Sequence, residues 1–118
     1  MDDLLDRAPC GFVAFRDGGT IVAINRTLLD LLGYASDELA GSHVEKILAL
    51  ASRIFFQTHL FPLVTLHGHA EEIFLILRAR DGGDLGALLN AIRHERGGVN
   101  VTDCILLPVR ERRKFEDA

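Results

Sequence analysis

Three pairs of adjacent glycines, each preceded by polar residues, lie between apolar segments of strand length. They stand in the segments Asp17-Gly18-Gly19, Asp81-Gly82-Gly83 and Glu95-Arg96-Gly97-Gly98. Because glycine reaches positive φ without steric cost, such a pair between two apolar runs predicts a tight turn between antiparallel strands. The sequence therefore predicts three β-hairpins, and this requirement restricts the chain to folds built on an antiparallel sheet.

The apolar segments beside these turns have the composition and length of β-strands. They are rich in Val, Ile, Leu and Phe and read GFVAF, TIVAI, EEIFLILRAR, DLGALLNAIRH and VNVTDCILLPVR. The third segment alternates, with Ile73, Leu75 and Leu77 on one face and Phe74 and Arg78 on the other. We expect a sheet with one apolar face and one mixed face.

Helical patterns occupy the stretch between the second and third strands. Asn25 is a suitable N-cap for the helix RTLLDLL, which Gly33 ends, and residues 36–41 predict one further turn. Apolar residues at three- and four-residue steps predict helix over residues 43–66, and Pro62, which lacks an N–H, predicts a kink just before it. The order of elements gives an α+β domain with helices packed on one face of an antiparallel sheet.

Composition narrows the class of protein. The chain has 118 residues, 48% of them hydrophobic, without an apolar run of about 18 residues, so we expect one domain and no direct membrane insertion. The net charge of −4 and the absence of an extended basic surface argue against a nucleic-acid partner. The acidic start shows no secretory signal pattern, and Cys10 and Cys104 are far apart, so we expect a cytoplasmic protein with free thiols.

Several positions follow one another in an order that is typical of one family. They are Pro9, Gly11, the turn at residues 17–19, Ile21, Asn25, Gly33-Tyr34, Glu38-Leu39 and Gly41. In this order they resemble the opening pattern of PAS sensory domains, and the later strands extend the resemblance over nearly the whole chain. The resemblance implies a five-stranded antiparallel sheet in the spatial order 2-1-5-4-3, with a small cavity between the sheet and the long helix.

The resemblance also implies a function. PAS domains are usually sensory or dimerising modules of larger signalling proteins, so we expect a domain that is not an enzyme itself and regulates a covalently attached output domain. The segment IFFQTHLFPLVTLHGHAEEIFLILRARDG is most similar to PAS domains attached to bacterial histidine kinases and related phosphatases. A histidine kinase is the favoured output. The alternatives are a PAS module of a protein phosphatase or diguanylate cyclase, a ligand-free protein-interaction module, and a small cone-shaped α+β enzyme.

Three segments make up the predicted domain organisation. Residues 1–10 are expected to form an N-terminal amphipathic cap helix, residues 11–109 the PAS-like sensory domain, and residues 110–118 the start of a C-terminal signalling helix or linker. Leu4, Leu5 and Ala8 have helical spacing, and an apolar stripe outside a closed sheet needs a partner surface. These three residues therefore predict a homodimer.

The resemblance places a ligand cavity against the long helix. The candidate pocket residues are Phe55, Phe56, His59, Leu60, Leu63 and Val64. Because most of these side chains are apolar, the expected ligand is small and largely apolar, or the cavity is filled by side chains. The segment AGSHVEKILAL has no cysteine where light-sensing relatives attack a flavin, so flavin is disfavoured.

Three histidines near the kink raise the question of a metal or heme site. His59 and His67 lie eight residues apart, roughly 12 Å along a helix, which is too far for two ligands of one zinc ion. His69 follows at the turn into the third strand. We predict no metal site. Heme bound through His59 is an alternative implied by some PAS domains, and it is disfavoured against a surface or hydrogen-bonded histidine.

Two further groups carry no predicted chemistry. His94-Glu95 is similar to the phosphoacceptor pair of histidine kinases, but it precedes a glycine turn at a strand end, where no helical bundle exists. Asp103 lies in the last strand, and no nucleophile or phosphate loop accompanies it. We interpret Asp103 as an outward-facing carboxylate, and we predict no catalytic residue.

Overall fold

The structure, a computed structural model, describes residues 1–109. These residues form one antiparallel sheet of five strands: β1 (Gly11–Arg16), β2 (Ile21–Ile24), β3 (His69–Arg78), β4 (Asp84–Arg96) and β5 (Val99–Pro108). The strand order β2-β1-β5-β4-β3 places the first and last strands side by side. The α+β class and the strand order predicted from the sequence are confirmed. Residues 110–118, where the sequence predicts a signalling helix or linker, lie outside the described residues.

The three glycine pairs form the three predicted hairpin turns. Gly19 has a φ of 94° between β1 and β2, Gly82 has 92° between β3 and β4, and Gly98 has 80° between β4 and β5. Other residues adopt such positive φ values only with strain. The first turn is also held to β4, because the Arg93 guanidinium donates to both carboxylate oxygens of Asp17 at 3.0 and 2.6 Å. This hydrogen bonding lowers the pKa of Asp17.

Short helices and helical turns cover one face of the sheet. In chain order they are α1 (Asp3–Asp6), α2 (Arg26–Leu32), α3 (Ser36–Leu39), a 3₁₀ turn (Val44–Ile47), α4 (Leu50–Phe55), a π turn (Phe56–Leu60) and α5 (Phe61–His67). The predicted end of α2 is confirmed, since Gly33 adopts a left-handed φ of 79° and its N–H donates to the Leu29 carbonyl.

The helix expected over residues 43–66 is not continuous. The prediction is wrong at Leu48 and Ala49, which separate a 3₁₀ turn from α4. Leu48 and Ala49 are extended, because Leu48 forms a bridge to Leu77 and the Ala49 N–H donates to the Ile76 carbonyl at 2.9 Å. Pairing with the exposed edge of β3 therefore competes with the helical pattern and outweighs it at this point.

The interruption predicted by Pro62 is present. The Phe61 N–H bonds to the carbonyl of Phe56, five residues back, so the helix widens into a π turn immediately before the proline. Proline cannot donate to the carbonyl four residues back and its ring would clash there, so a wider turn relieves both defects. A new helix, α5, then begins at Phe61 with Pro62 in its first turn.

Asn25 joins three segments of the chain through its side chain. Its Oδ1 accepts from the N–H groups of Phe12 in β1 (2.9 Å) and Leu28 in α2 (3.0 Å). Its Nδ2 donates to the carbonyls of Leu5 (2.9 Å) and Cys10 (3.0 Å) in the N-terminal segment. The residue is fully buried. The predicted N-cap is therefore confirmed, and the same amide also fastens the N-terminal segment to the sheet.

The N-terminal helix is shorter than the expected range 1–10, because it spans only Asp3–Asp6. Pro9 disfavours helical geometry at Ala8, the residue before it. The Ala8 carbonyl also accepts a hydrogen bond from the Thr27 hydroxyl at 2.6 Å, which binds the segment to α2 in a non-helical path. The amphipathic stripe is thus reduced to a single helical turn.

The inner face of the sheet forms one core with the helices. The predicted alternation in β3 is confirmed, because Leu75 and Leu77 are buried whereas Phe74, next to Leu75, is 54% exposed. The core includes Leu28, Leu29 and other side chains of the helices. One layer of helices on one face of the sheet therefore encloses these apolar side chains, whereas Phe74, Ile92 and Leu107 on the other face are about half exposed.

Replacing Asn25 tests its role as a joint between segments. Because Asn25→Ala leaves four backbone groups without their partner, we expect the free energy of unfolding to fall by about 3 kcal/mol, against about 1 kcal/mol for a simple N-cap. Asn25→Asp keeps the acceptor but loses the donor to the N-terminal segment, so it should also destabilise. Urea unfolding measures both variants, with the exposed Asn100→Ala as control. A stability of Asn25→Asp equal to that of the unchanged chain would contradict the assignment.

Candidate functional site

An internal cavity lies between the inner face of the sheet and the kinked helical segment. The surface that faces the cavity is apolar. The lining residues are Val44, Ile47, Leu48, Phe56, Leu60, Phe61 and Val64 from the helical side, and Val13, Phe15, Leu75, Leu77, Leu89, Ala91, Thr102, Cys104 and Leu106 from the strands. The cavity volume is about 20 Å³, which is room for about one water or a solute of very few atoms.

Three of the six candidate pocket residues line this cavity. Phe56, Leu60 and Val64 are spaced at four-residue steps, and all three are buried. The Phe56 ring meets the edge of Phe15 from β1, with 5.6 Å between ring centroids. This aromatic contact joins the π turn to the sheet and forms part of the cavity wall.

The other three candidates lie on the neighbouring face of the helical segment, which corrects the prediction for them. Phe55 and Leu63 are each 36% exposed, and His59 is exposed between them. The His59 ring stacks on Phe55 with an interplanar angle of 7°, and its Nδ1 lies 2.7 Å from the Thr58 hydroxyl. Side chains at successive positions on a helix differ in direction by about 100°, so turning Phe56 inward turns Phe55 outward. A heme bound by His59 would therefore lie outside the cavity.

The strand side of the cavity was not among the predicted site residues. Thr102 and Cys104 of β5 both face the cavity, because they stand two residues apart in a strand. The Thr102 hydroxyl is buried and has no hydrogen-bond partner among residues 1–109. The alternation of VTDCILL carried the signal for a shared face, but the sequence did not show which face was covered.

Cys104 is a buried thiol and not a reactive one. Burial, and secondarily the charge of Asp103, raises the pKa of Cys104 well above its usual range. The thiolate is the nucleophilic form of cysteine, and desolvation disfavours it here. Cys104 therefore acts as an apolar part of the wall at neutral pH.

A polar cluster lies on the opposite face of β5. The Asp103 carboxylate contacts His94 Nε2 at 2.6 Å and the Arg96 guanidinium at 2.9 Å. Burial alone would raise the pKa of Asp103, but the hydrogen bonds from Arg96 and His94 outweigh it and lower the pKa. Asp103 alternates with Thr102 and Cys104, so it points away from the cavity. The interpretation of Asp103 as an outward carboxylate is confirmed.

The remaining histidines do not form a metal-binding group. His69 Nδ1 lies 3.2 Å from a carboxylate oxygen of Glu71, and His67 lies nearby at the end of α5. Within residues 1–109, no three side chains of His, Cys, Asp or Glu are grouped in a way that would hold a metal ion.

The part of the chain that the structure describes also has no helix both long enough and apolar enough to cross a membrane.

The fold has clear counterparts among solved structures. A PAS domain from a two-component sensor histidine kinase superposes with a TM-score of 0.78 over 90% of each chain, at 11% identity. The PAS domain of a protein from Colwellia psychrerythraea gives a TM-score of 0.83 over 92% of this chain and 93% of that chain, at 14% identity. The fold is therefore that of PAS domains, as the sequence resemblance predicted. No family model matches the chain.

One curated relative is much closer in sequence than these structures. The chain is 42% identical over 117 residues to phosphoserine phosphatase RsbP of Bacillus subtilis (strain 168). The match covers 99% of this chain but only 29% of that phosphatase.

Adjacent residues on the π turn test which face of the helical segment covers the cavity. Leu60→Ala removes a buried side chain from the cavity wall, so we expect it to lower the free energy of unfolding by about 3 kcal/mol. His59→Ala removes an exposed ring and should change it by less than about 0.5 kcal/mol. Thermal and urea unfolding of both variants measure the difference. If both variants lost the same free energy of unfolding, or His59→Ala lost more, the assignment of Leu60 to the cavity side of the π turn would be wrong.

Proposed function

We propose that the chain is a sensory PAS domain that controls the activity of a covalently attached protein phosphatase. The observation that carries this proposal is the 42% identity over 117 residues to the phosphatase from Bacillus subtilis. The chain spans 29% of that relative. We therefore expect this domain to be regulatory and a further domain to carry out catalysis. The proposal selects the phosphatase from the outputs that the sequence left open.

The site geometry favours regulation over catalysis within the domain. The surface of the cavity is apolar, and the carboxylate of Asp103 points to the other face of β5. The one thiol in the wall, Cys104, has a pKa raised by burial. A cone-shaped enzyme would need a polar group that acts on a substrate inside the cavity. The arrangement instead suits a small uncharged molecule that changes the packing between helices and sheet.

A histidine kinase output remains the second candidate. The similarity to the PAS domain of a sensor histidine kinase, at 11% identity, supports the PAS fold. It gives no reason to prefer a histidine kinase as the output domain. The relative at 42% identity is a phosphatase, so the phosphatase is placed first. The cytoplasmic location expected from the sequence stays a prediction.

Filling the cavity tests whether it regulates the output. Ala91 is buried in the cavity wall, whereas Ala51 is exposed on α4. In the full-length protein we expect Ala91→Leu to change the rate of phosphate release from a phosphoserine protein by about fivefold or more, the scale of ordinary allosteric coupling. The control Ala51→Leu should leave the rate unchanged.

Two outcomes would contradict the proposal. Equal rates for Ala91→Leu and the unchanged protein, with both folded by circular dichroism, would show that the cavity does not control the output. Formation of an acid-labile phosphohistidine from ATP, without phosphoserine hydrolysis, would replace the phosphatase with a kinase.

A homodimer through the N-terminal segment is the second part of the proposal. Leu4 of α1 is 82% exposed, so it offers an apolar contact surface. Leu5 and Ala8 are partly buried against their own domain, and their carbonyls accept from Asn25 and Thr27. Among the three dimer candidates, Leu4 is therefore the residue that remains available to a partner.

Sedimentation at several concentrations tests the dimer. We expect the chain to dimerise as its concentration rises, and Leu4→Asp should raise the dissociation constant about tenfold, because it places a charge in an apolar contact. Leu66→Asp is the control, since Leu66 is 78% exposed and belongs to a different helix, α5. A strict monomer at every concentration, or equal weakening by both variants, would reject this dimer surface.

A further inference from the structure

His43 connects the hairpin of β1 and β2 to the helical layer. It is the N-cap of the 3₁₀ turn Val44–Ile47, and its backbone forms an isolated bridge with Thr20, just before β2. The imidazole ring lies against Gly19 in the hairpin turn, because a Cβ added to that glycine would overlap the Nε2 atom. The side chain of His43 is 46% exposed. The ring is therefore packed on the hairpin backbone and still reaches solvent.

The Nδ1 atom of His43 contacts both a donor and an acceptor. The Glu45 N–H donates to it at 3.1 Å, and a carboxylate oxygen of the same Glu45 lies 3.3 Å away. Nδ1 accepts a hydrogen bond only when it carries no proton, and it donates to a carboxylate only when it carries one. One protonation state of Nδ1 therefore cannot satisfy both contacts. The bond from the Glu45 N–H places the proton of the neutral ring on Nε2, so a second proton is added at Nδ1 and charges the ring.

The Glu45 carboxylate extends this contact to the π turn. Its other oxygen accepts a hydrogen bond from the side-chain amide of Gln57. Gln57 follows Phe56 in the π turn, and Phe56 lines the cavity together with Val44 of the 3₁₀ turn. Since the two carboxylate oxygens are separate acceptors, Glu45 can hold Gln57 and a charged His43 at the same time. Protonation of His43 thus joins the hairpin to the π turn through one carboxylate.

Glu45 is the titratable side chain that contacts the His43 ring among residues 1–109. The other charged or titratable side chains of the surrounding elements point or bind elsewhere. They are Asp17, bound by Arg93; Arg16, which alternates with the inward-facing Phe15; Lys46, which donates to the Glu38 carbonyl; Arg53, which donates to the Leu48 carbonyl; and His59, stacked on Phe55. The charge that His43 gains is therefore compensated by Glu45.

We propose that His43 is a pH-sensitive joint between the hairpin and the helical segments that cover the cavity. In the neutral state, Nδ1 accepts from the Glu45 N–H and caps the 3₁₀ turn. In the charged state, Nδ1 has taken a proton from solvent, the cap bond is lost, and the ring donates to the carboxylate that also holds Gln57. Histidine is the side chain that usually changes its charge between about pH 5 and 8. Acidification therefore exchanges a backbone contact for a carboxylate contact, whichever output domain is attached.

An NMR titration of the 118-residue chain from about pH 8 to about pH 5 tests the joint. It follows the His43 ring, the Glu45 N–H and the side-chain amide of Gln57. We expect the three signals to change with one shared midpoint, because one proton controls them. The protection of the Glu45 N–H against exchange with water, relative to its intrinsic rate, should be about fivefold greater above the midpoint than below it, as expected for one hydrogen bond.

Matched variants assign the response to His43. His43→Asn keeps a capping oxygen that gains no proton in this range, so the Glu45 N–H should stay protected and the Gln57 signal should not titrate. Glu45→Gln keeps an acceptor for Gln57 but removes the negative charge, so the Gln57 signal should no longer follow the ring. His67→Asn, at an exposed position of α5, is the control and should leave the titration unchanged. His43→Ser repeats the test if the asparagine variant does not fold.

Three results would overturn the proposal. Equal protection of the Glu45 N–H on both sides of the His43 midpoint would show that the proton does not control the cap. Ring nitrogen shifts that place the neutral proton on Nδ1 would exclude the cap bond itself. A Gln57 signal that still titrates in His43→Asn would assign the pH response to another group. The role of the cavity in an attached phosphatase is judged separately, by the assay of phosphate release.

Discussion

The four hydrogen bonds of the Asn25 side chain hold the fold together at the point where three segments meet. One amide accepts from β1 and α2 and donates to two carbonyls of the N-terminal segment. Because this amide is fully buried, each group that it satisfies would otherwise lie unpaired away from water. The start of β1 is therefore fixed relative to α2, and β1 in turn pairs with β5, whose inner residues form the cavity wall. Asn25 thus helps to place β1, which contributes Val13 and Phe15 to the cavity wall.

Much of the architecture was predictable because it depends on the local backbone preferences of individual residues. Glycine pairs at positive φ define the three hairpins, alternation in β3 identifies its buried face, and Pro62 marks the wide turn before α5. Each of these signals acts through the backbone or through a strict period of two residues, so it needs no knowledge of distant partners. The strand order came from the resemblance to PAS domains, since no local signal specifies which strands become neighbours.

The sequence predicted only in part which side chains of the helical segment point into the cavity, and the reason is physical. Two stripes at four-residue steps, one of Phe55, His59 and Leu63 and one of Phe56, Leu60 and Val64, each contain at least two apolar residues, so the prediction included both. The choice between them depends on the Phe15 ring of β1, which packs against Phe56. The bridge of Leu48 to Leu77 is another tertiary contact that overrides a helical pattern. Contacts between residues far apart in sequence decide such details, and no local pattern reports them.

Thr102 shows why the chemistry of the site is harder to predict than its shape. Threonine is a common strand residue, and at this position in VTDCILL its hydroxyl has no special meaning in the sequence. Its meaning arises from its surroundings, because β1 and β4 place an aromatic ring and an occupied guanidinium beside it. Asp103, the next residue, faces the other side of the sheet and finds two partners there. Within residues 1–109, one strand thus carries a satisfied polar group outward and an unsatisfied one inward.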